Sequence, residues 1–415
     1  MTTRYCEGDA QKHFSGLSEL RVLHVIPSLS SVHGGPTRAM HQILQAMAGT
    51  DIVMDIATTD DDGYGKRIDP IVMAASAKSA PIFYFRKVLE FYKVAPRFAF
   101  WLWRHARDYD VIHIHALFSF LSVMAAAIAL LRRVPYILRP LGTLSTYGVA
   151  QRRPFLKRAS ITLIEGPLLR HAAFIHFTSA LERHEAELLS IPFRSIVIPL
   201  AVEIRPASFP LRSESNSWSA DQPFTALYLS RLDPKKNVEG LLHALRIVVE
   251  ILPSVRLVIA GNGDDHYVAK LRQLACDLGI SSAVVWAGYV AGDAKAALLR
   301  DAHLFVLPSY SENFGIAVAE ALAVGLPCVV STGVAISSDI SEYGAGTVVS
   351  TEPDSIASAI VHLLSNVSVR QLAADNALRL AHERFSNEVM CSRLSALYNH
   401  IARRGDTVAT SSAVV

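Results

Sequence analysis

From residue 21 onward, short apolar runs alternate with longer stretches in which apolar residues recur at helical spacing. The runs are rich in β-branched and aromatic residues, a composition that predicts strands. These predicted strands cover 21–27, 52–57, 82–85, 110–115, 135–139, 173–177 and 195–198. The stretches between them predict helices at 37–48, 94–107, 119–131, 153–170 and 179–189. A strand-first alternation of this kind is typical of a parallel sheet covered by helices on both faces.

The alternation stops at 206–223, a segment rich in Pro and Ser, and a second series begins at residue 224. Its predicted strands cover 224–229, 255–260, 282–286, 303–307, 327–330 and 346–349. Its predicted helices cover 237–250, 266–278, 293–301, 315–323, 353–364, 367–382 and 386–403. The sequence therefore predicts an α/β protein with two doubly wound, Rossmann-like domains that face a cleft. Ligands are expected there, beyond the carboxyl ends of the strands.

The predicted domain boundaries follow from these breaks in the pattern. An N-terminal extension (1–20) precedes a first domain (21–205), a linker (206–223) and a second domain (224–385). A last helix at 386–403 is a candidate to cross back to the first domain, and 404–415 is expected to be a flexible tail.

Charge divides the chain in the same place. The 415 residues are 51% hydrophobic and 19% charged, which excludes intrinsic disorder except at the ends. The net charge of +3 is too small for a dedicated nucleic-acid binder. Residues 1–205 hold 24 Lys+Arg against 17 Asp+Glu, whereas residues 206–415 hold 16 against 20. A basic half joined to an acidic half indicates two domains with different partners.

Cysteine spacing and the lengths of apolar runs narrow the class further. The four cysteines lie far apart, so neither a disulfide framework nor a metal site is expected, and a cytoplasmic location fits best. The first twenty residues lack the apolar core of a secretory signal. The longest apolar run, Ala116 to Leu131, is shorter than the ~20 residues that span a bilayer, and it predicts a buried helix.

Two loops of the first half are candidates for chemistry. Gly34 and Gly35 lie between the first strand and a helix, where adjacent glycines allow a ligand to approach and the helix start favours an anion. An ordinary turn is an equally open interpretation. His115 ends the fourth predicted strand, where an imidazole could accept a proton or position a hydroxyl group. His113, two residues earlier, is interpreted as a core histidine.

The second half has a stronger combination of charges. Arg231 and Lys236 follow its first strand, and together they suit a diphosphate: the guanidinium binds two oxygens and the ammonium adds a point charge. The loop 307–316 follows the strand at 303–307 and opens a helix, whose amides favour phosphate oxygens. Glu312 and Glu320 flank that site, and carboxylates accept hydrogen bonds from sugar hydroxyls. A hexose and a ribose on either side of a diphosphate would explain them.

With these residues in view, the chain resembles the retaining GT-B glycosyltransferases of glycosyltransferase family 4, of the bacterial polysaccharide-assembly type. The resemblance covers about 21–400 and is most specific over Ser309-x-x-Glu312-x-Phe314-Gly315-x-x-x-x-Glu320-Ala321, close to the donor-binding E-x7-E signature of that family. The segment Arg231-Leu-x-x-x-Lys236 supports the same assignment.

The resemblance implies a role for each of these groups. Arg231 and Lys236 would neutralise the donor diphosphate, Glu312 would contact the donor sugar, Glu320 would bind the ribose, and His115 would lie near the transferred sugar. The donor contacts implied in full are Gly34, Gly35, Gly288, Tyr289, Val290, Ser309, Asn313, Phe314, Gly315, Ile316 and Glu320. The family usually needs no metal, and the nucleotide diphosphate sugar is a substrate, so no cofactor is expected.

The acceptor side departs from the family pattern. The loop 139–145 has Leu141 near the position where a His is more common, and Pro199-Leu-Ala-Val202-Glu203 stands where Asn-Gly-Val-Asp is frequent. The segment 83–107 interleaves basic and aromatic residues, which suits an anionic lipid surface. The hypothesis is that the first domain docks on the inner leaflet and takes a lipid-linked or oligosaccharide acceptor. Aromatics packed on the sheet beneath solvated cations are an equally open interpretation.

The sequence therefore predicts a retaining hexosyltransferase that acts on a cell-surface polysaccharide or its lipid-linked precursor. Two alternatives stay open. One is a sugar-nucleotide epimerase of the same architecture, and the other is a non-catalytic subunit that binds nucleotide sugars within an assembly complex.

Overall fold

The computed structural model describes residues 19–30, 32, 34–69, 80–145, 157, 159–204 and 224–411, with side chains described up to residue 403. The predicted linker at 206–223 and most of the predicted N-terminal extension lie outside these residues. The chain divides into two compact units. Unit 1 comprises Met1–Leu200 and Asn387–Val415, and unit 2 comprises Ala201–Ser386.

Unit 1 contains a seven-stranded sheet in the order β3-β2-β1-β4-β5-β6-β7, in which the strand pairs are parallel. The strands are β1 (Leu20–Ser28), β2 (Ile52–Thr59), β3 (Ile82–Phe85), β4 (Val111–His115), β5 (Tyr136–Arg139), β6 (Phe174–Phe177) and β7 (Ser195–Val197). The four central strands are almost wholly buried, which is why they read as continuous apolar runs rather than as an alternating pattern.

The helices of unit 1 connect these strands and cover the sheet. They are Gly35–Ala46, Pro96–His105, Phe120–Arg132, Gly166–His171, Ala180–Glu187 and Asn387–Ser411, with a π-helical turn at Ile161–Glu165. The apolar run from Ala116 contributes Phe120–Arg132, whose small buried residues pack in the core of the unit. The last helix packs against Gly35–Ala46, β1 and β4. Within the part of the chain that the structure describes, no helix has the length and apolarity needed to cross a membrane.

Unit 2 contains a six-stranded parallel sheet in the order β10-β9-β8-β11-β12-β13. Its strands are β8 (Thr225–Leu229), β9 (Arg256–Ala260), β10 (Val284–Gly288), β11 (Leu304–Leu307), β12 (Cys328–Ser331) and β13 (Gly346–Val349). Its helices are Val238–Ile251, Asp265–Asp277, Gly292–Asp301, Ile316–Leu322, Ser337–Tyr343, Pro353–Ser365 and Val367–Phe385. In both units a strand order that reverses about the first strand confirms the predicted doubly wound α/β class.

Several element boundaries differ from the prediction. The helix expected from residue 37 begins at Gly35, because Pro36 occupies its first turn, where a missing N–H costs nothing. The helix Ser337–Tyr343 was not predicted, since it spans only two turns between a strand and Gly344, which adopts a left-handed φ of 66°. The last helix continues to Ser411, into the segment expected to be a tail, because no proline interrupts it.

Candidate active site

The loops that follow β8 and β11 come together in unit 2. After β8, a short 3-10 turn (Pro234–Lys236) is capped at its start by Asp233, whose side chain accepts the Lys235 N–H at 3.1 Å. The backbone N–H of Tyr310, in the loop after β11, donates to the Lys235 carbonyl at 2.8 Å. Both loops leave the carboxyl edge of the sheet, so this hydrogen bond fixes the distance between the segments that carry Lys236 and Glu312.

An ion pair joins Lys236 Nζ to Glu312 Oε2 at the centre of this arrangement. Lys236 is only 4% exposed, and its burial lowers its pKa to about 7, with Lys235 and Arg231 adding to the decrease. The Asp233 carboxylate opposes that decrease, because a nearby negative charge stabilises the ammonium. Arg231 is exposed in the same loop. The structure therefore brings together the three groups that the sequence assigned to the diphosphate and the donor sugar.

Glu312 is held in place by the loop that follows β12. Its N–H donates to the Gly333 carbonyl at 2.8 Å, and its carbonyl accepts the Ala335 N–H at 3.1 Å. A Cβ atom on Gly333 would lie 2.4 Å from the Tyr310 carbonyl oxygen, so only glycine fits there. The sequence analysis missed Gly333. The signal that could have found it was a glycine two residues after the strand that neighbours β11.

Gly315 is the N-cap of the helix Ile316–Leu322 and has a left-handed φ of 88°. Phe314 is 2% exposed and its ring packs edge-to-face against Phe385, so only its backbone can face a ligand. The Ser309 side chain is fully buried, and its Oγ has no hydrogen-bond partner among the described residues. Asn313 and Ile316 are partly exposed beside this turn. These positions suit backbone contacts to phosphate oxygens better than side-chain contacts.

Glu320 forms a second ion pair, which the sequence analysis missed. Lys295 Nζ lies 2.7 Å from Glu320 Oε1, and each side chain is 18% exposed. Lys295 lies on the helix Gly292–Asp301, directly after the turn Gly288–Val290 that was predicted to flank the base. In that turn Tyr289 is 72% exposed and Gly288 has a left-handed φ of 65°. The signal that could have found Lys295 is its position in the first turn of the helix Gly292–Asp301, just after the turn predicted to flank the base.

The predicted glycines of unit 1 lie at an exposed helix start. Gly34 has a left-handed φ of 65° and is the N-cap of Gly35–Ala46, and its carbonyl accepts the Arg38 N–H at 3.1 Å. A Cβ atom on either Gly34 or Gly35 would meet nothing within 4 Å. The requirement for glycine at Gly34 is thus conformational rather than a matter of space.

His115 lies inside the core of unit 1 rather than on an open loop. It is 1% exposed, and its Nε2 lies 2.9 Å from His24 Nδ1 on the neighbouring strand. His24 and His113 are register partners in β1 and β4, so their rings share one face of the sheet. Burial lowers the pKa of all three histidines, that of His24 to about 3, so the rings are neutral.

His24, His113, His115 and His176 form a histidine layer, and a chain of hydrogen bonds determines which ring nitrogens of His113 and His176 carry the proton. His176 Nε2 lies 2.9 Å from the Ile198 carbonyl, which can only accept, so that nitrogen carries the proton. His176 Nδ1 then accepts from His113 Nε2 at 3.3 Å, and His113 Nδ1 accepts from the Tyr398 hydroxyl at 2.8 Å. Tyr398 belongs to the helix Asn387–Ser411. The layer therefore attaches that helix to the sheet.

A buried cation adjoins the layer. Arg139 ends β5, is the register partner of His115 and is 1% exposed. Its Nε and Nη2 have no hydrogen-bond partner among the described residues, and burial lowers its pKa to about 10, so it stays charged. Ring nitrogens of His24, His113 and His115 lie within 4.8 Å of one another, a spacing that suits a metal ion. The positive charge of Arg139 lowers the pKa of these histidines and disfavours a second cation beside them.

Two models of glycosyltransferase domains match most of the chain. The glycosyl transferase 4-like domain matches 34–201, all but the last residue of which belongs to unit 1, and the glycosyl transferases group 1 domain matches 212–379, within unit 2. The fold and these matches define a two-domain glycosyltransferase of the GT-B class. More particularly, the chain belongs to the GT-B glycosyltransferases whose two domains are the group 1 and 4-like domains, consistent with family 4.

Curated relatives match over part of their length. An uncharacterized glycosyltransferase of Methanocaldococcus jannaschii is 35% identical over 161 residues, which are 39% of this chain and 40% of that protein. The phosphatidyl-myo-inositol mannosyltransferase of Mycobacterium leprae is 32% identical over 194 residues, 45% of this chain and 50% of that protein. The chain thus spans half or less of the length of these relatives.

Solved structures resemble the chain over nearly its whole length. Anabaena HepE in complex with UDP and glucose has a TM-score of 0.70 at 18% identity, and the match covers 92% of this chain and 100% of that one. WaaG, a glycosyltransferase involved in lipopolysaccharide biosynthesis, has a TM-score of 0.64 at 17% identity over 92% of this chain and 99% of that one. At these identities the likeness shows the fold.

Proposed function

We propose that the protein is a retaining glycosyltransferase that moves a hexosyl group from a nucleoside diphosphate sugar to a hydroxyl of a cell-surface polysaccharide or its lipid-linked precursor. The observation that carries the proposal is the buried Lys236–Glu312 ion pair with Arg231 in the same loop. The relatives support the lipid-linked acceptor, because one of them is named as a phosphatidyl-myo-inositol mannosyltransferase. The structural neighbour that holds UDP supports the nucleoside diphosphate.

The two cations suit the leaving group of this reaction. When the bond between the sugar and the diphosphate breaks, negative charge grows on the diphosphate oxygens, and Arg231 and Lys236 would stabilise it. Preorganised charges in a partly buried site are effective because they need no reorganisation during the reaction. Glu312 pairs with Lys236 and would accept a hydrogen bond from a hydroxyl of the donor sugar. The retaining outcome rests on the resemblance to family 4.

The test follows nucleotide release from a panel of UDP- and GDP-hexoses, with and without a lipid-linked acceptor. The wild-type protein should turn over one donor, and NMR of the product should show the anomeric configuration of the donor. Lys236→Met and Glu312→Gln should each lower turnover by about two to three orders of magnitude. Lys270→Met, which removes an exposed lysine of unit 2, is the matched control.

Three results would contradict the proposal. Unchanged turnover in both variants would remove the site assignment. Conversion of the donor to an epimer without a new glycoside would favour the epimerase. Nucleotide-sugar binding without any turnover would favour the non-catalytic subunit.

We also propose that unit 1 meets the acceptor at an anionic membrane surface. The segment 83–107 divides by face: Phe85 and Phe98 are buried, whereas Phe100 is 61% and Trp103 is 45% exposed. The helix Phe120–Arg132 packs against Pro96–His105 and adds Leu130 and Leu131, which are 44% and 68% exposed. Two guanidinium groups frame these residues, Arg104 over the Phe100 ring at 4.3 Å and Arg132 over the Trp103 ring at 5.2 Å. Exposed apolar side chains among cations suit the boundary between headgroups and acyl chains.

Co-sedimentation with phosphatidylglycerol-containing vesicles tests this surface. The wild-type protein should bind, and binding should fall as salt rises, because the cations are exposed. The double variant Trp103→Ser with Leu131→Ser should lose most of the binding, whereas Leu372→Ser, an exposed leucine of unit 2, should not. Binding that is absent, indifferent to salt or unchanged in the double variant would contradict the membrane proposal without touching the donor site.

A further inference from the structure

The ion pair between Lys295 and Glu320 connects two segments that were each predicted to hold the nucleoside. Lys295 Nζ lies 2.7 Å from Glu320 Oε1. Lys295 stands in the first turn of Gly292–Asp301, after the turn predicted to flank the base, and Glu320 stands on Ile316–Leu322. The pair therefore ties the predicted base side of the donor site to the carboxylate predicted to bind the ribose.

Its surroundings separate this pair from an ordinary surface ion pair. Lys295 and Glu320 are each 18% exposed and come from different helices, 25 positions apart in the chain. By contrast, Arg246 and Glu250 are neighbours on one helix of the same unit and are 50% and 57% exposed. Exposed pairs of the second kind contribute little, because solvent screens them and both side chains lose freedom. A mostly buried pair between two helices holds its carboxylate in one orientation.

We propose that Lys295 is a positioning residue that aims Glu320 at the ribose hydroxyls and so makes the site prefer ribonucleoside diphosphates over their deoxy analogues. The inference rests on the proposed function, because it needs a nucleoside diphosphate in unit 2. A carboxylate has several acceptor positions on its two oxygens, so engagement of Oε1 by Lys295 leaves it able to accept from a hydroxyl. Hydrogen bonds to a carboxylate are about twice as strong as those between neutral groups.

Specificity follows from what a deoxy analogue would leave behind. A site built to hydrogen-bond a hydroxyl disfavours a ligand that lacks it, because the buried polar group loses a partner. If Lys295 did not orient Glu320, the carboxylate could turn away from the ligand, and the difference between the two nucleosides would shrink. The expected signature is thus a change in the ratio of two affinities, not merely a loss of affinity.

Calorimetric titration of the full chain with UDP, GDP and their 2′-deoxy and 3′-deoxy forms tests the inference. The wild-type protein should bind the ribonucleoside diphosphate at least tenfold more tightly than one of its deoxy forms. Lys295→Met should reduce that ratio about fivefold or more, and Lys295→Arg should restore most of it. In a Glu320→Gln background, Lys295→Met should change the ratio no further. Arg246→Met, which removes the exposed pair, is the matched control and should leave the ratio unchanged.

The possible failures are distinguishable. If the wild-type protein binds neither UDP nor GDP, the proposed function fails and this inference fails with it. If it prefers the ribonucleotide and Lys295→Met keeps that preference, only the role of Lys295 is overturned. Equal weakening of ribo and deoxy forms by Lys295→Met also overturns it, because a general loss of charge or fold would act on both. Thermal unfolding of each variant shows whether the fold is retained.

Discussion

The histidine layer of unit 1 and the Lys236–Glu312 ion pair of unit 2 hold their polar groups in opposite ways. In the layer, neutral histidines and the adjoining Arg139 cation lie inside the core, with His24, His113 and His176 no more than 2% exposed. In unit 2, charges of both signs are paired at a partly open edge, where Glu312 is 20% exposed. A layer held by internal hydrogen bonds contributes to the stability of its unit, whereas a pair that reaches solvent can exchange partners with a ligand. The catalytic assignment of His115 stays a prediction. That role would require the donor sugar to reach a side chain that is only 1% exposed.

Acid should separate the two regions most strongly. A histidine whose pKa falls on folding contributes stability that is complete above its unfolded pKa near 6.5 and is lost as pH falls towards its folded pKa. His24 and His176 each have a folded pKa of about 3, so their contribution is lost between pH 6.5 and 3. Together they should lower the free energy of unfolding by about 3 kcal/mol between pH 6.5 and 5. Urea unfolding of the full chain at several pH values, with hydrogen exchange of the unit 1 amides as the readout, measures how the stability of unit 1 depends on pH.

A variant comparison shows whether the histidine layer is the cause. His176→Gln should make the dependence on pH shallower, even if it lowers stability at pH 7. His266→Gln, at an exposed histidine of unit 2, should leave the slope as it is. An identical slope in the wild-type protein and His176→Gln would show that other groups govern the acid response.

Removing a buried cation should lower stability in both units, because a carboxylate loses its cation in each. Arg139→Met removes the buried guanidinium whose charge favours the ionised form of the buried Glu182 carboxylate, so the free energy of unfolding should fall by about 1 to 3 kcal/mol. Lys236→Met breaks an ion pair and leaves Glu312 without its partner, so stability should fall by about 1 to 2 kcal/mol. Chemical unfolding at pH 7.5 compares the variants. Unchanged stability in Arg139→Met would show that the charge of Arg139 does not stabilise the Glu182 carboxylate.

The smallest effect is expected at Gly315. Alanine there would hold a left-handed φ of 88°, and its Cβ would lie 3.3 Å from side-chain atoms of Val318 and Val334. Gly315→Ala should therefore cost about 1 to 2 kcal/mol in stability and weaken nucleoside diphosphate binding, because the helix start would shift. Gly279→Ala, at another left-handed glycine with open space around it, controls for backbone strain alone. Equal effects of both variants on binding would argue against a donor role for the Gly315 turn.

The sequence predicted those features that depend on residues close together in the chain. The alternation of strands and helices gave the fold class, because burial of a parallel sheet on both faces determines which residues its strands contain. The loops of unit 2 were found because Arg231, Lys236 and Glu312 each follow a strand closely. The pairing of Lys295 with Glu320 was not found, because it depends on how two helices pack.

The status of His115 shows the same limit. A histidine at the end of a strand can face solvent or the core, and the strand period fixes only its face. The helix Asn387–Ser411 packs against the strand of His115 and binds its neighbour His113 through Tyr398. No local pattern connects these positions, because His113 and Tyr398 lie 285 residues apart in the chain. Likewise, Leu130 and Leu131 end a helix that the sequence predicts to be buried, yet both are exposed.

The membership of Asn387–Ser411 in unit 1 has a consequence for how the protein forms on the ribosome. Unit 2 is one continuous stretch, Ala201–Ser386, and it separates the two parts of unit 1 along the chain. Synthesis of unit 1 starts before that of unit 2, but Tyr398 can reach His113 only after the whole of unit 2 has been synthesised. A nascent chain paused within unit 2 therefore carries a unit 1 that still lacks the helix Asn387–Ser411 and its hydrogen bond to the histidine layer.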